Sequence, residues 1–383
     1  MPRAMNALGT FGYLSVPPAG AMKEILEWST DVATAFDGTE ERQQVRPVPR
    51  RAFQATFEIS ARDFPDAYNS LYGGLRESWA FPLWQYAQRV GDVASGATNT
   101  VCVTEDRNFF PGEMCFLWSP LSGGVLKIVD TVASGSVSWT VALGEDSREA
   151  WIMPVDRGYV PDDPTRLTSG SASEIELTFR AEHPHDLVED VPAQWLGLDV
   201  LLDPNFRSGD MADGNFAQQV YSFDPGLGPV SRYSPWRYPQ LQRTRYLVSD
   251  SLSEAAALHR WLNRRTGRYR PFWWPTFQSD LRIVSLSGTT LTVEKDSLTD
   301  WSILRKHLSI FDLDGAAHLH EIRAWSPSGS RVDLTLDSAP TVSADRVAYI
   351  SWMGQYRLYS DQVEMRWYQG TLSSSMNLLE VLP

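Results

Sequence analysis

The sequence predicts a mainly β, β-rich α+β protein made of two tandem copies of one β domain, each copy with one short helix and an inserted small β-barrel. Three observations carry this prediction. Apolar residues alternate with polar ones along extended runs, as in Phe53, Ala55, Phe57 and Ile59 against Gln54, Thr56 and Glu58. Short strand-like runs recur with turn signals about every ten residues, the spacing of small barrels. The chain also matches itself at an offset of about 189 residues: "FEIS" at 57–60 falls on "YLVS" at 246–249, and "PLW" at 82–84 on "PFW" at 271–273. "EIELTFR" at 174–180 then falls opposite "QVEMRW" at 362–367. Repeats of this length are whole domains and not solenoid units.

In chain order, 1–22 reads as an extended Gly/Pro-rich arm, and 23–183 is the first copy with its barrel at about 90–160. A connector follows over 184–216, with a short helix expected near 188–196. The second copy is 217–370 with its barrel at about 281–358, and 371–383 reads as a tail. Asp37-Gly38 marks the turn of an opening hairpin. The strand after it carries a Pro-marked break at Pro47 and Pro49. A helix is expected at about 64–76 with Asp63 as N-cap, and its counterpart starts at Ser253 and ends at Gly267. Each is followed by an aromatic run, "WAFPLWQY" and "YRPFWWPTF", whose prolines place it at a sheet edge or bulge.

The composition narrows the function. A net charge of −13 disfavours tight nucleic-acid binding, which needs Lys and Arg against phosphates, and suits a surface past which DNA slides without sticking. No run of eighteen apolar residues exists to cross a bilayer, so no membrane insertion is expected, and 1–18 lacks the apolar centre of a secretory signal. Cys102 and Cys115 suggest two small core residues and not a disulfide framework. Phosphate-loop, dinucleotide, zinc-protease and serine-hydrolase motifs are absent, so no catalytic residue, metal or cofactor is assigned. The "HPHD" run at 183–186 and the "HLH" run at 318–320 supply too few ligands for a closed zinc site. Asp203, Asp210 and Asp213 lack calcium-loop spacing.

Two clusters and a pair of tryptophans remain as candidate assembly residues. Glu40, Glu41, Arg42, Arg46, Arg50 and Arg51 read as a strand-edge region forming ion pairs across a subunit boundary. Arg260, Arg264, Arg265, Arg268 and Arg270, interleaved with Trp261, Tyr269 and Phe272, suit either single-stranded nucleic acid or a protein interface; the acidic chain favours the interface. Trp84 and Trp273 read as equivalent positions engaged in packing and not as a sugar platform.

The segment "LEWSTDVATAFDGTEERQQVRPVPRRAFQATFEIS" resembles the opening of distal-tail and tail-tip (hub) proteins of long-tailed bacteriophages and gene transfer agents, with Thr30, Gly38, Glu40 or Glu41, and Arg42 in the places of their T…G-x-E-x-R hairpin. "LHRWLNRRTGRYRPFWWPTFQSDL" resembles their helix, Gly-Arg turn and aromatic strand. The resemblance implies a structural virion protein with no enzymatic role. It would form a ring at the tail tip that closes the tail tube and docks hub or fibre proteins, around a lumen for the tape measure protein and transient DNA. Two copies per chain imply a homotrimer with pseudo-sixfold symmetry, or else a homohexamer. A carbohydrate-binding receptor protein and a polysaccharide hydrolase are the competing classes. The chain departs from simpler family members in its duplication and its inserted barrels.

Overall fold

The computed structural model describes residues 4–6, 9–61, 63–74, 78–93, 98–102, 109, 113–121, 123–133, 136–140, 147–169, 172–182, 191–204, 214–236, 239–298, 305–368 and 370–381. One continuous antiparallel sheet organises them. Its eight strands are β1 (Met22–Thr34), β2 (Glu40–Ile59), β3 (Thr165–Ser169), β4 (Ala172–Ala181), β5 (Gly214–Ala217), β6 (Gln240–Ser249), β7 (Gln362–Tyr368) and β8 (Thr371–Glu380). Their order across the sheet is β5-β6-β8-β7-β1-β2-β4-β3. The four-strand unit β1-β2-β4-β3 is therefore repeated as β5-β6-β8-β7, and the units join side by side where β7 pairs with β1.

The alternation in the sequence explains which face is buried. Met22, Leu26 and Trp28 of β1, Phe53, Ala55, Phe57 and Ile59 of β2, Ile175, Leu177 and Phe179 of β4, and Val363, Met365 and Trp367 of β7 form one core. Two helices share that core: α1 (Phe64–Gly74) and α2 (Leu252–Arg265). Period-two strands put every second residue on this face and leave the other face polar. The helix-free face carries Glu27, Glu58, Glu174, Glu176, Glu364 and Arg366, with Lys23–Glu364 and Arg180–Glu27 paired across strands. Pro47 and Pro49 do not interrupt β2. They lie where β2 has β1 on one side only, because β4 joins from Ala52 onward, and the ladder absorbs them as register shifts near Ser29.

A second layer repeats in the same way. The strand Ser147–Tyr159 pairs with Trp79–Pro82 and with β4, and Val347–Leu358 pairs with Phe272–Pro275 and with β8. Each long strand continues into an insert. The first runs 88–93, 147–159, 114–119, 123–133, 136–140, 98–102 in spatial order. The second runs 347–358, 307–312, 317–328, 331–336, 290–294, 283–287, the same connectivity without its first strand's counterpart beside the long strand. In the second insert the ends meet through the single bridge Leu281–Ile350 and not through a ladder. The expected closed barrels are thus open sheets curled around their own cores, such as Leu291, Val293, Leu308, Ile310 and Leu334.

Several boundaries differ from expectation. The expected tail at 371–383 is a strand over its described part: β8 sits between β6 and β7. The connector is strand and not helix where described, with Gln194–Trp195 pairing with Leu198–Val200, and Leu198–Val200 running parallel to Phe272–Pro275. That aromatic strand is therefore interior and not an edge. The second repeat opens at β5, within the expected connector. The N-terminal arm folds back as the hairpin Ala4–Asn6 and Gly9–Phe11, with Phe11, Tyr13 and Leu14 buried. The N-cap of α2 is Ser251, whose hydroxyl accepts from the Glu254 amide as a Ser-x-x-Glu capping box begins.

The repeat offset also changes by one. Ser173 of β4 faces Ile59, and Leu372 of β8 faces Ser249, so Ser249 corresponds to Ile59 at a spacing of 190 residues, while β7 and β8 follow β3 and β4 at 199. "EIELTFR" is thus the counterpart of β8, and "QVEMRW" that of β3. A one-residue slip exchanges the faces of a strand: Phe57 is buried, whereas Tyr246 lies along an open groove of about 560 Å³ on the helix-free face. In the aromatic strands Gly158 and Tyr356 hold the same place, which matches Trp79 with Phe272 and Ala80 with Trp273. Trp84 and Trp273 are not equivalent.

Candidate assembly interface between the repeats

The seam between the two four-strand units is built on an ionic centre. Glu24 of β1 is fully buried and points to the helix side of the sheet. Its carboxylate accepts from Arg51 Nε at 2.6 Å and Trp367 Nε1 at 2.7 Å, and His259 Nε2 of α2 lies at 3.2 Å. Arg51 also reaches Asp156 at 3.2 Å. Burial by itself would push the Glu24 carboxyl up, but Arg51, His259 and the indole donor hold it well below the usual carboxylate range. Burial likewise opposes the charge on Arg51, and Glu24 with Asp156 more than restores it. Burial, reinforced by Glu24, pushes the nearby Tyr86 hydroxyl far up, so that phenol stays neutral. Strand β1 comes from the first repeat, and α2 and Trp367 from the second. The pairing β7–β1 is thereby locked by charge as well as by its ladder.

Two further contacts flank this centre. Asp361, just before β7, accepts from the Thr30 amide at 2.8 Å, the Thr30 hydroxyl at 2.9 Å and the Arg268 amide at 2.8 Å. Arg268 also donates to the Thr30 carbonyl at 2.6 Å. Gly267 makes this approach possible: it holds φ of 67°, and a β-carbon there would collide with the Asp361 carboxylate and with Trp28. Further toward the hairpin tip Glu40 forms a buried two-pronged pair with Arg357, at 2.8 and 2.6 Å.

The other candidate residues also make their contacts inside the chain. Arg42 is half-buried beside Arg357, and burial lowers its pKa; its Nη1 has no hydrogen-bond partner among the described residues. Arg46 donates to the carbonyls of Glu27 and Trp28, capping the β1 bulge. Arg50 is exposed; its neighbour Arg51 takes the buried role. Arg264 clamps Asp199 at 2.9 and 3.2 Å, and the fully buried Arg265 shares that carboxylate. This fixes the end of α2 to the Leu198–Val200 strand. Trp273 is buried, donates to the Trp195 carbonyl at 3.1 Å and packs on His307. Trp84 sits in a 3₁₀ turn, edge-on to Phe116 and Trp118. Of these residues, Glu40 and Arg268 reach across the boundary between repeats, to Arg357 and to the Thr30 carbonyl, while Arg51 pairs within the first repeat. Sequence reasoning missed Glu24, His259 and Asp361. Glu24 had a legible signal, a carboxylate on the apolar beat Met22-x-Glu24-x-Leu26-x-Trp28.

No group of three or more His, Cys, Asp or Glu side chains able to hold a metal occurs among the described residues. His320 faces Asp337 and Ser338, and His318 faces Asp312 and Thr341. Asp203 pairs with Arg245, while His183, His185, Asp186, Asp210 and Asp213 lie outside the described residues. Cys115 is buried, and the side chain of Cys102 lies outside the described set. No described helix is long and apolar enough to cross a membrane.

The known family models do not match this chain, nor do the curated proteins compared with it.

The seam supports a direct test of coupling between repeats. Glu40→Ala alone is expected to cost about 3–5 kcal/mol, because it strands a buried guanidinium. The double variant Glu40→Ala/Arg357→Met is expected to recover at least half of that loss. Urea unfolding of the wild type, both singles and the double gives the coupling term.

Proposed function

We propose that this chain is a structural ring protein of a phage-type tail tip. It would close the tail tube, connect it to hub or fibre proteins, and surround a lumen for tape measure protein and DNA. The observation that carries the reading is the side-by-side junction of two equivalent four-strand units through β7 and β1. A unit whose one edge fits the other edge of its own copy generates rings when the rotation closes. Two units per chain suit three chains around a pseudo-sixfold axis; six chains are the second stoichiometry.

Two features support this role over the competing classes. The helix-free sheet face is a broad polar surface rich in Glu, suited to a channel that DNA passes without adhering. Of the four tryptophans that a sugar platform would display, Trp79, Trp273 and Trp274 are buried in the aromatic strands, and Trp84 is half-buried in its 3₁₀ turn against Phe116 and Trp118.

Negative-stain electron microscopy of the purified full chain tests the proposal. The expected result is a ring of six similar lobes, from three chains or in two tiers from six. A monodisperse monomer at high concentration, or binding to glycans through a cleft, would overturn it.

A further inference from the structure

Among the described residues the eight-stranded sheet ends in two edges, β3 and β5, each with one strand neighbour, and the repeat identifies what each edge is built to meet. Strand β3 is the counterpart of β7, and β5 is the counterpart of the central part of β1. Inside the chain β7 pairs with β1. Among the described residues the same two strand types therefore stand without a second neighbour at opposite ends of the sheet.

We infer that β3 of one chain pairs antiparallel with β5 of a second copy of this chain, in the register already used by β7 and β1. Gly214 faces Arg243 as Glu24 faces Phe53, and Met365 faces Glu24. Transferring that register sets Arg166 opposite Gly214, Thr165 opposite Asn215, Pro164 opposite Phe216 and Asp163 opposite Ala217. The inference rests on the ring reading above and supplies its contact.

Three observations select a second copy as the occupant. Phe216 holds the place of Leu26; Leu26 is 1% exposed at the internal seam, whereas Phe216 is 69% exposed at the open edge. An aromatic left bare at the position where its twin is sealed by β7 and α2 marks a face that the same arrangement would cover. Second, Asp162 precedes β3 as Asp361 precedes β7. Asp361 binds the Thr30 amide across the seam, while Asp162 is exposed at the open edge. Third, the hairpin Tyr221–Phe223 and Ser231–Tyr233 extends beyond β5 and β6 as the tip of the β1–β2 hairpin does in the first repeat. Within the chain the two tips already touch, Phe36 stacking on Tyr221 at 6.1 Å. The outer side of that hairpin still exposes Val220, Phe223, Leu227 and Tyr233. A strand edge with no second neighbour among the described residues, beside an exposed apolar hairpin, is the setting of strand addition.

The pairing is testable with single-cysteine chains of two sizes. A Thr165→Cys chain is mixed with a tagged Asn215→Cys chain and oxidised, and the mixed-size disulfide product is read on a non-reducing gel. The control partner is Gln219→Cys, about 13 Å further along an extended strand. Expected is a mixed-size product from Thr165→Cys with Asn215→Cys at least fivefold above the control, together with a rise of tenfold or more in the dissociation constant of the assembly for Phe216→Asp. Mass photometry on the same samples separates the two levels of failure. If the chain assembles but the 165–215 product does not exceed the control, the edge pairing is wrong and the ring reading stands. If the chain stays monomeric at every concentration, both fall.

Discussion

Glu24→Ala is expected to lower the stability of the folded chain by about 3–5 kcal/mol, the cost of leaving a buried cation without its counter-charge. The reason lies in how many groups depend on one carboxylate. Arg51, His259 and the Trp367 indole all converge on it from two strands and a helix. Glu24→Gln keeps the shape and one acceptor oxygen, so its loss should be smaller but on the same order, because the charge on Arg51 is then matched by Asp156 alone. Chemical unfolding at neutral pH measures both. The pH dependence has a definite sign. The folded carboxyl titrates below its unfolded value, so its contribution is complete above about pH 5 and fades as pH falls through the ordinary unfolded carboxylate range toward the depressed folded value. The gap between wild type and Glu24→Gln should therefore narrow on acidification below about pH 4. A gap independent of pH would show that the lost hydrogen bonds, and not the charge, hold the seam.

Trp273→Ala is the second large effect, about 3–5 kcal/mol for removing a buried indole from a packed layer. Trp273 packs against Trp195 and His307 and is flanked by the buried Met353 and Val200. Its removal also leaves the Trp195 carbonyl without the indole donor. Trp84→Ala should cost less, about 2 kcal/mol, because that ring is only partly covered and its contacts are the edges of Phe116 and Trp118. Thermal melting of both variants checks the order. Equal losses would contradict the different places these residues hold in the two repeats. Normal assembly of both variants with loss of glycan binding alone would overturn the packing role itself.

Much of the fold is written in period-two alternation. The run Phe53, Ala55, Phe57, Ile59 puts β2 on the core, and the short strands of both inserts follow their turn residues. The second repeat was harder to align because its β6 breaks the apolar rule. Arg243 and Arg245 occupy core-facing positions there, Arg243 lying over the Trp274 ring at 3.9 Å and Arg245 over the Trp261 ring at 5.3 Å. Guanidinium stacking on indole makes such positions acceptable. A reader of local hydrophobicity then matches Tyr246 to Phe57 and lands one residue off. The charged residues near 40–51 and 260–270 are legible as contact material, and inside the chain Glu40 and Arg268 make their contacts across the two repeats. Glu24, His259 and Trp367 are separated by hundreds of positions, and only the β7–β1 ladder brings them together. No local pattern encodes that meeting.

The covalent union of the two units has one more consequence. Identical subunits in a ring must all carry the same side chains at the same places, so no position can alternate around the axis. A chain that holds two units is released from that rule. Its first unit keeps Ala80 where its second has Trp273, and among the described residues only the second is strapped by a strand, Leu198–Val200, through Asp199 and the two arginines of α2. In the proposed ring, such a chain would offer every other position around the axis to a different neighbour, which is the requirement for a joint between structures of unlike symmetry.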